Sequence, residues 1–437
     1  METRLANREA GWQCEAKIMT RSAHHCDLLA DAGKRQCVVR IIIAVALLLS
    51  PLAKAGNAVP RYFAAKPGSL AKAREQIAVG DTNLTKALKN LVRDADGALG
   101  EPPPTVTDKT SVPPSGDKHD YMSLAPYYWP DPKSKNGLPY IRHDGKVNPE
   151  SRDKKLNDSP RIRLMGSSVE TLALAYFFSG EEKYAAQAAN FLRTWFLNPA
   201  TRMNPNFKFA QAVRGENDGR GTGIMEARHI AAAADAALLL TGSKSWTDAD
   251  QQQLDAWLNT YLDWLLTSKP GRQEHAAANN HGTWYDVQAV ELALCLGRND
   301  VAKRLLEEAK QRRIAKQIEP DGRQPLELAR TAAFSYSIFN LSALAELATL
   351  GEHAGVDLWN FKTDDGRSIR AAIEFLLPYY HDPAKKWPYP QIHDVSFDAF
   401  AGVLHQARLV YAAPEFQTVP ASRNDSSPGK IQLRFTK

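Results

Sequence analysis

The chain has 437 residues, 43% of them hydrophobic and 24% charged. That is enough apolar side chain for a sizeable core, and it excludes a disordered chain. Lys and Arg outnumber Asp and Glu by 55 to 49, too mild an excess for a nucleic-acid protein, and four cysteines exclude a disulfide scaffold.

The first element in chain order is a targeting segment. Ile41 to Leu49 reads IIIAVALLL after Lys34, Arg35 and Arg40, and Ala53-Lys54-Ala55 follows. A basic stretch, a short apolar run and a small-x-small site make a secretory signal. The run is too short for a membrane span, which needs about 20 residues. Residues 1–55 are therefore read as a signal peptide with a long basic region, and the expected location is periplasmic or secreted. Removing them takes away eight basic and five acidic residues, and the net charge falls from +6 to +3. Cys295 remains alone in VELALCL, where an inert buried thiol is expected.

Residues 100–160 are rich in Pro, Gly, Asp and Lys and read as loop, interrupted by the aromatic segment YMSLAPYYWPDP. From about Arg161 apolar residues recur at helical spacing. Helices are expected over 167–178, ended by Gly180, and over 181–196 and 224–240. Thr247 and Asp250 form a capping box before a helix with Leu254, Trp257, Leu258, Tyr261, Leu262 and Leu265 along one stripe. Further helices fit 283–296, 300–315, 331–350, 368–380 and 396–411, and strand alternation is confined to 430–435. Consecutive helices with short turns and no heptads indicate stacked antiparallel pairs. The expected fold is all-α, an α/α toroid: an incomplete barrel of antiparallel helical hairpins, one domain over 56–415, with a loose tail over 416–437.

Four loops have an unusual composition: 121–132, 204–223, 279–286 and 327–336. Asn279 to Asp286 sets two amides, an imidazole, an indole and a phenol within eight residues. At a loop-to-helix junction Asn280 and His281 can converge with backbone N–H groups on an anion. Alternatively, Asn279 and Asn280 cap the helix and His281 lies on the surface. Arg330 and Tyr336 form a second pair. A nearby cation stabilises phenolate and makes a Tyr a candidate general base. Six residues lie about 120° apart on a continuous helix, so the two face one site only if Arg330 stands at the helix start. Otherwise Tyr336 is a core residue and Arg330 a solvated one.

Gly219, Gly221 and Gly223 lack the spacing and the preceding strand of a phosphate loop. A glycine-rich turn that brings Arg214, Arg220, Arg228 and His229 near an acidic substrate fits better, with ordinary loop flexibility as the alternative. Tyr127, Tyr128, Trp129, Trp284, Trp387 and Tyr389 can offer stacking platforms to sugar rings. The histidines show no metal-ligand spacing, so no metal site and no cofactor are expected.

The stretches YMSLAPYYWPDP, KFAQAVRGENDGRGTGIMEARH, AANNHGTWYDVQ, ELARTAAFSYSIFNL and KKWPYPQI follow in this order between Asp120 and Gln391. Together they resemble the alginate lyase family of α/α-toroid polysaccharide lyases, including the related glucuronan lyases. The resemblance implies metal-independent β-elimination on a 1,4-linked β-D-polyuronate: alginate or polymannuronate, with glucuronan as the alternative. It implies Asn280, His281 and Arg330 around the substrate carboxylate and Tyr336 as base and acid. Ser337 stands seven residues after Arg330, where the family spacing leads one to look for the phenol, so Tyr285 is a second candidate. Substrate contacts are expected from Tyr128, Trp129, Gln211, Arg214, Arg220, Arg228, His229, Asn279, Trp284, Trp387 and Tyr389. The expected partner is an acidic polysaccharide, with no nucleic acid, no membrane after signal cleavage, and a monomeric state. Two rival readings are a glycoside hydrolase, using carboxylates among Asp218, Glu226, Asp286 and Glu327, and a non-catalytic polysaccharide-binding protein.

Overall fold

Apolar residues recurring every three to four positions give the outer helices one buried face, whereas the central inner helices are buried nearly all round, and the two kinds stack in two rows. The computed structural model describes residues 61–382, 384–417 and 428–437. Its main helices are α1 (Thr82–Leu99), α2 (Ser159–Ser179), α3 (Glu182–Leu192), α4 (Arg228–Ala237), α5 (Asp248–Thr267), α6 (Asn280–Cys295), α7 (Asn299–Ala309), α8 (Ala333–Ala354), α9 (Ile369–His381), α10 (Asp398–Val410) and α11 (Pro428–Arg434). The inner row is α1, α2, α4, α6, α8 and α10, each packed on the next, while α3, α5, α7 and α9 back them on the outside. This alternation is the expected α/α toroid, an incomplete barrel of helical hairpins.

The capping box forms as expected, with Thr247 accepting from the Asp250 N–H and Asp250 from the Thr247 N–H, and the α5 stripe from Leu254 to Leu265 is buried. Four short strands sit in the loops at one end: β1 (Met122–Leu124), β2 (Tyr128–Trp129), β3 (Ile141–Arg142) and β4 (Phe209–Ala212). β1 pairs parallel with β4, Met122 opposite Phe209, and β2 pairs antiparallel with β3, Tyr128 opposite Arg142.

Three expectations need comment. The helix over Ser69–Ala78 and α1 precede the region where helices were expected. Residues 430–434 are helical where strand alternation was expected, and 428–437 is no loose tail. Lys430 and Arg434, four apart on one face of α11, both reach Glu170, while Leu433 and Phe435 are buried. The signal peptide over 1–55 lies outside the described residues. Cys295 is a buried free thiol, pushed well above its usual range by burial. Among the described residues no helix is long and apolar enough to cross a membrane.

Candidate active site

The inner helices α2, α4, α6 and α8 all begin at the end where the unusual loops gather, and their N-termini lend that end a positive potential. The loops are tied to the helix starts by buried polar contacts. Asn157 and Asp158 accept from the N–H groups of Leu124 and Met122, and Glu226 accepts from the hydroxyls of Tyr121 (2.7 Å) and Ser123 (2.6 Å).

Asn280 and His281 are placed by the turn before α6. Arg313, 1% exposed, donates to Asp286 at 2.7 Å and to the carbonyls of Ala277 and His275. That grip leaves no room at Gly282, where a Cβ would meet the Ala277 carbonyl at 2.1 Å. Asn279 is the cap: its side chain accepts from the His281 N–H at 3.3 Å. Asn280 is no cap. Its backbone N–H and its side-chain Nδ2 both donate to the Glu327 carboxylate at 2.7 Å. His281 Nδ1 lies 2.6 Å from Glu274 Oε1. Each carboxylate orients one side chain, and neither pairing is signalled by local spacing.

Arg330 stands before α8, the condition for facing Tyr336. Its guanidinium lies 3.6 Å from the centre of the Tyr336 ring. Its Nε and Nη2 donate to Asp144 at 3.0 and 2.7 Å, and Asp144 also binds Arg142 at 2.6 Å. The Tyr336 hydroxyl donates to the Tyr127 hydroxyl at 2.7 Å. Glu327 joins the two halves of the site, since its carbonyl accepts from the Arg330 N–H at 3.1 Å while its carboxylate holds Asn280. The segment 390–393 braces this turn: Ala333 N–H donates to the Pro390 carbonyl and Phe334 N–H to Gln391. Arg330 acts on the Tyr336 pKa in the expected, lowering direction, but it does not decide the sign. Burial, then the Tyr127 bond, hold Tyr336 above the ordinary phenol range and outweigh the opposing charge of Arg330. Ligand-free Tyr336 therefore keeps its proton.

Tyr285 is corrected as a second phenol. It is 2% exposed, stacks on His275, and donates its hydroxyl to the Leu265 carbonyl at 2.9 Å. The glycine-rich turn is likewise not merely flexible. A Cβ at Gly219 would lie 2.0 Å from the Lys208 carbonyl, so glycine lets the turn press on β4. That brings Arg220 onto Gln211 (3.1 Å to Oε1) and over the Tyr128 ring at 4.8 Å. Gln211 itself has φ of 50°, a left-handed strain at the site.

Arg214 is exposed at the rim, 3.5 Å from Glu150. Trp129 donates from its indole to the Lys146 carbonyl. His229 brings no charge: burial, with Arg228 and Arg163, lowers it to about 3. Trp387 and Tyr389 are corrected as open platforms. Trp387 packs edge-on against Phe334 at 4.6 Å and Tyr379 at 4.9 Å, and Tyr389 packs against Trp387, so both support the start of α8.

The hydrolase carboxylates do not form a pair. Glu226, Asp286 and Glu327 are each engaged as described, and Asp218 is exposed. Among the described residues no three His, Cys, Asp or Glu side chains are grouped to hold a metal ion.

A family model described as alginate lyase matches residues 105–387. The solved structure of an alginate lyase from Bacteroides ovatus is 40% identical, covers 86% of this chain and 100% of its own, and superposes with a TM-score of 0.82. The chain belongs to the alginate lyase family. It is a polysaccharide lyase. Alginate lyase A1-III from Sphingomonas species A1 is 20% identical over 87% of this chain and 98% of its own, with a TM-score of 0.55. A variant of A1-III complexed with tetrasaccharide is 19% identical over the same shares, with a TM-score of 0.55. At these identities the likeness shows the fold of this lyase alone. No curated protein sequence matches the chain.

Proposed function

We propose that this lyase cleaves a 1,4-linked β-D-polyuronate by β-elimination, with polymannuronate or alginate as substrate and glucuronan as the alternative. The supporting observation is the joined constellation of Asn280, His281, Arg330 and Tyr336, with the Tyr336 ring 3.6 Å under the Arg330 guanidinium. A C5 proton beside a carboxylate is weakly acidic, because its loss adds charge to an anion. The Asn280 amide, the His281 ring and Arg330 can offer donors to that carboxylate as charge develops. Asp144 offsets part of the Arg330 charge, and Arg142 restores a net positive trio.

Tyr336 acts as base and acid in turn. Its phenolate takes the C5 proton, the C5–H pair forms the C4–C5 double bond, and the C4–O4 bond breaks. The phenol then returns the proton to O4. In β-D-mannuronate and β-D-glucuronate both atoms lie on one ring face, so one residue can serve both. Resting Tyr336 must first lose its proton, and Tyr127 at 2.7 Å is placed to relay it. The secretory pattern of residues 1–55 supports action in the periplasm or outside the cell.

The test is to incubate purified protein with polymannuronate, polyguluronate, glucuronan and hyaluronan. The readout is the ultraviolet absorbance of the new double bond conjugated to the carboxylate. A gain on polymannuronate or glucuronan is expected. A hydrolase would give new reducing ends without that absorbance, and no gain on any polymer refutes the proposal.

A further inference from the structure

The lumen of the toroid is layered. On each of four adjacent inner helices one residue is followed seven positions later by a carboxylate: Arg163 by Glu170 on α2, Arg228 by Asp235 on α4, Trp284 by Glu291 on α6, and Phe339 by Glu346 on α8. Seven residues are about two turns, or roughly 10 Å of rise. The first members meet: the Arg228 guanidinium lies 5.6 Å from the Trp284 ring and 5.8 Å from Phe339, and the charges of Arg163 and Glu346 both act on it. The four carboxylates act on one another in the same way.

The two layers differ in how they are satisfied. The acidic layer is met by protein at Glu170 and Asp235, although Glu291 Oε1 is buried without a partner. Lys430 and Arg434 of α11 reach Glu170, and the N–H groups of Phe63 and Ala64 donate to Asp235 at 2.8 and 2.7 Å. The basic layer is not. Arg228 makes one hydrogen bond, from Nη1 to the Met225 carbonyl, and Arg163 is exposed and has neither hydrogen bond nor ion pair among the described residues. The Trp284 indole N–H is buried without a partner, in a residue only 8% exposed. Glu226, two residues before Arg228, is taken up by Tyr121, Ser123 and Gln211. Two guanidinium groups and an indole N–H therefore stand together with donors to spare, the pattern that receives a carboxylate.

This layer lies one turn below the chemistry. Trp284 is three residues after His281, and Phe339 three after Tyr336, a rise of about 4.5 Å on each helix. That is on the scale of one sugar ring. Resting on the lyase function proposed above, we infer that Arg163 and Arg228 hold the carboxylate of the uronate next to the one cleaved. The rings of Trp284 and Phe339 wall this subsite. Beyond it, α11 and the Phe63–Ala64 segment close on the acidic layer, so the polyanion is admitted to that depth and no deeper.

The test uses the Tyr336→Phe protein and titration calorimetry with β-1,4-linked mannuronate and glucuronate tetrasaccharides. Adding Arg163→Gln weakens binding about fivefold to tenfold, and Arg163→Lys stays within about twofold. Because Arg163 is exposed and unpaired, the denaturant midpoint does not move. An unchanged Kd for Arg163→Gln, or no binding of either tetrasaccharide to the parent, overturns the subsite. The lyase function fails separately, if the unsubstituted enzyme produces no unsaturated ends.

Discussion

Two phenols were candidates for proton transfer, and their surroundings predict opposite outcomes for the same change. Tyr336→Phe removes a hydroxyl whose bond is to Tyr127 at 2.7 Å, and leaves the ring under Arg330. The loss in stability is one ordinary hydrogen bond, about 1 kcal/mol. The loss in rate is that of a general acid–base residue, about 10² to 10⁴ in kcat, or roughly 3–5 kcal/mol of barrier. KM changes little, since ring and guanidinium stay in place. Tyr285→Phe removes a hydroxyl buried against the Leu265 carbonyl. It costs about 1–3 kcal/mol of stability, because the carbonyl is left unpaired, and leaves kcat within about twofold. Initial rates of double-bond absorbance and denaturant unfolding, measured on both variants, give the comparison. The assignment is refuted if Tyr336→Phe keeps more than about a tenth of wild-type kcat, or if Tyr285→Phe loses a hundredfold while remaining folded.

Three further outcomes follow from the same contacts. The working base is a phenolate whose pKa is raised, so kcat/KM climbs with pH on the acid side of that value, roughly tenfold per unit; a flat or falling profile between about pH 7 and 9 contradicts it. Glu327→Gln turns a charged acceptor of two Asn280 bonds into an amide with only one oxygen, and kcat drops about tenfold to a hundredfold as Asn280 loses its orientation. Unchanged kinetics in that variant would make the Asn280–Glu327 contact purely structural. Arg434→Met strips a partner from Glu170 and from the Ala64 carbonyl and lowers unfolding free energy by about 3 kcal/mol. A urea titration showing less than about 1 kcal/mol would mean that Lys430 alone neutralises that carboxylate.

Most inner and outer helices from α2 to α10 were legible because burial imposes a spacing that survives in the sequence. The miss at α1 was avoidable: Asp81 caps it, and Leu84, Ala87, Leu91 and Ala95 carry a helical stripe. The last helix was harder to see. Lys430 and Arg434 read as polar tail residues until Glu170, 260 positions away in sequence from Lys430, is beside them. In the site, the loop compositions pointed to Asn280, His281, Arg330 and Tyr336. They offered Tyr127 only as a stacking platform and were silent on Asp144 and Glu274, which are ordinary loop or helix residues until packing sets them against the other four.

What the sequence determined by itself was local: where helices start and stop, which loops have an unusual composition, and a family resemblance in ordered motifs. Only the tertiary structure decided which phenol lies beside Arg330. Tyr285 and Tyr336 are the same residue type at helical positions, but one hydroxyl is spent on a backbone carbonyl and the other meets Tyr127 under Arg330. It also reversed the expected pKa of Tyr336, since burial acts on a phenolate through all its neighbours and not through one nearby cation. Periodicity is written within a few residues of chain, whereas partners and desolvation arise between segments hundreds of residues apart, and these are set only when the helices pack.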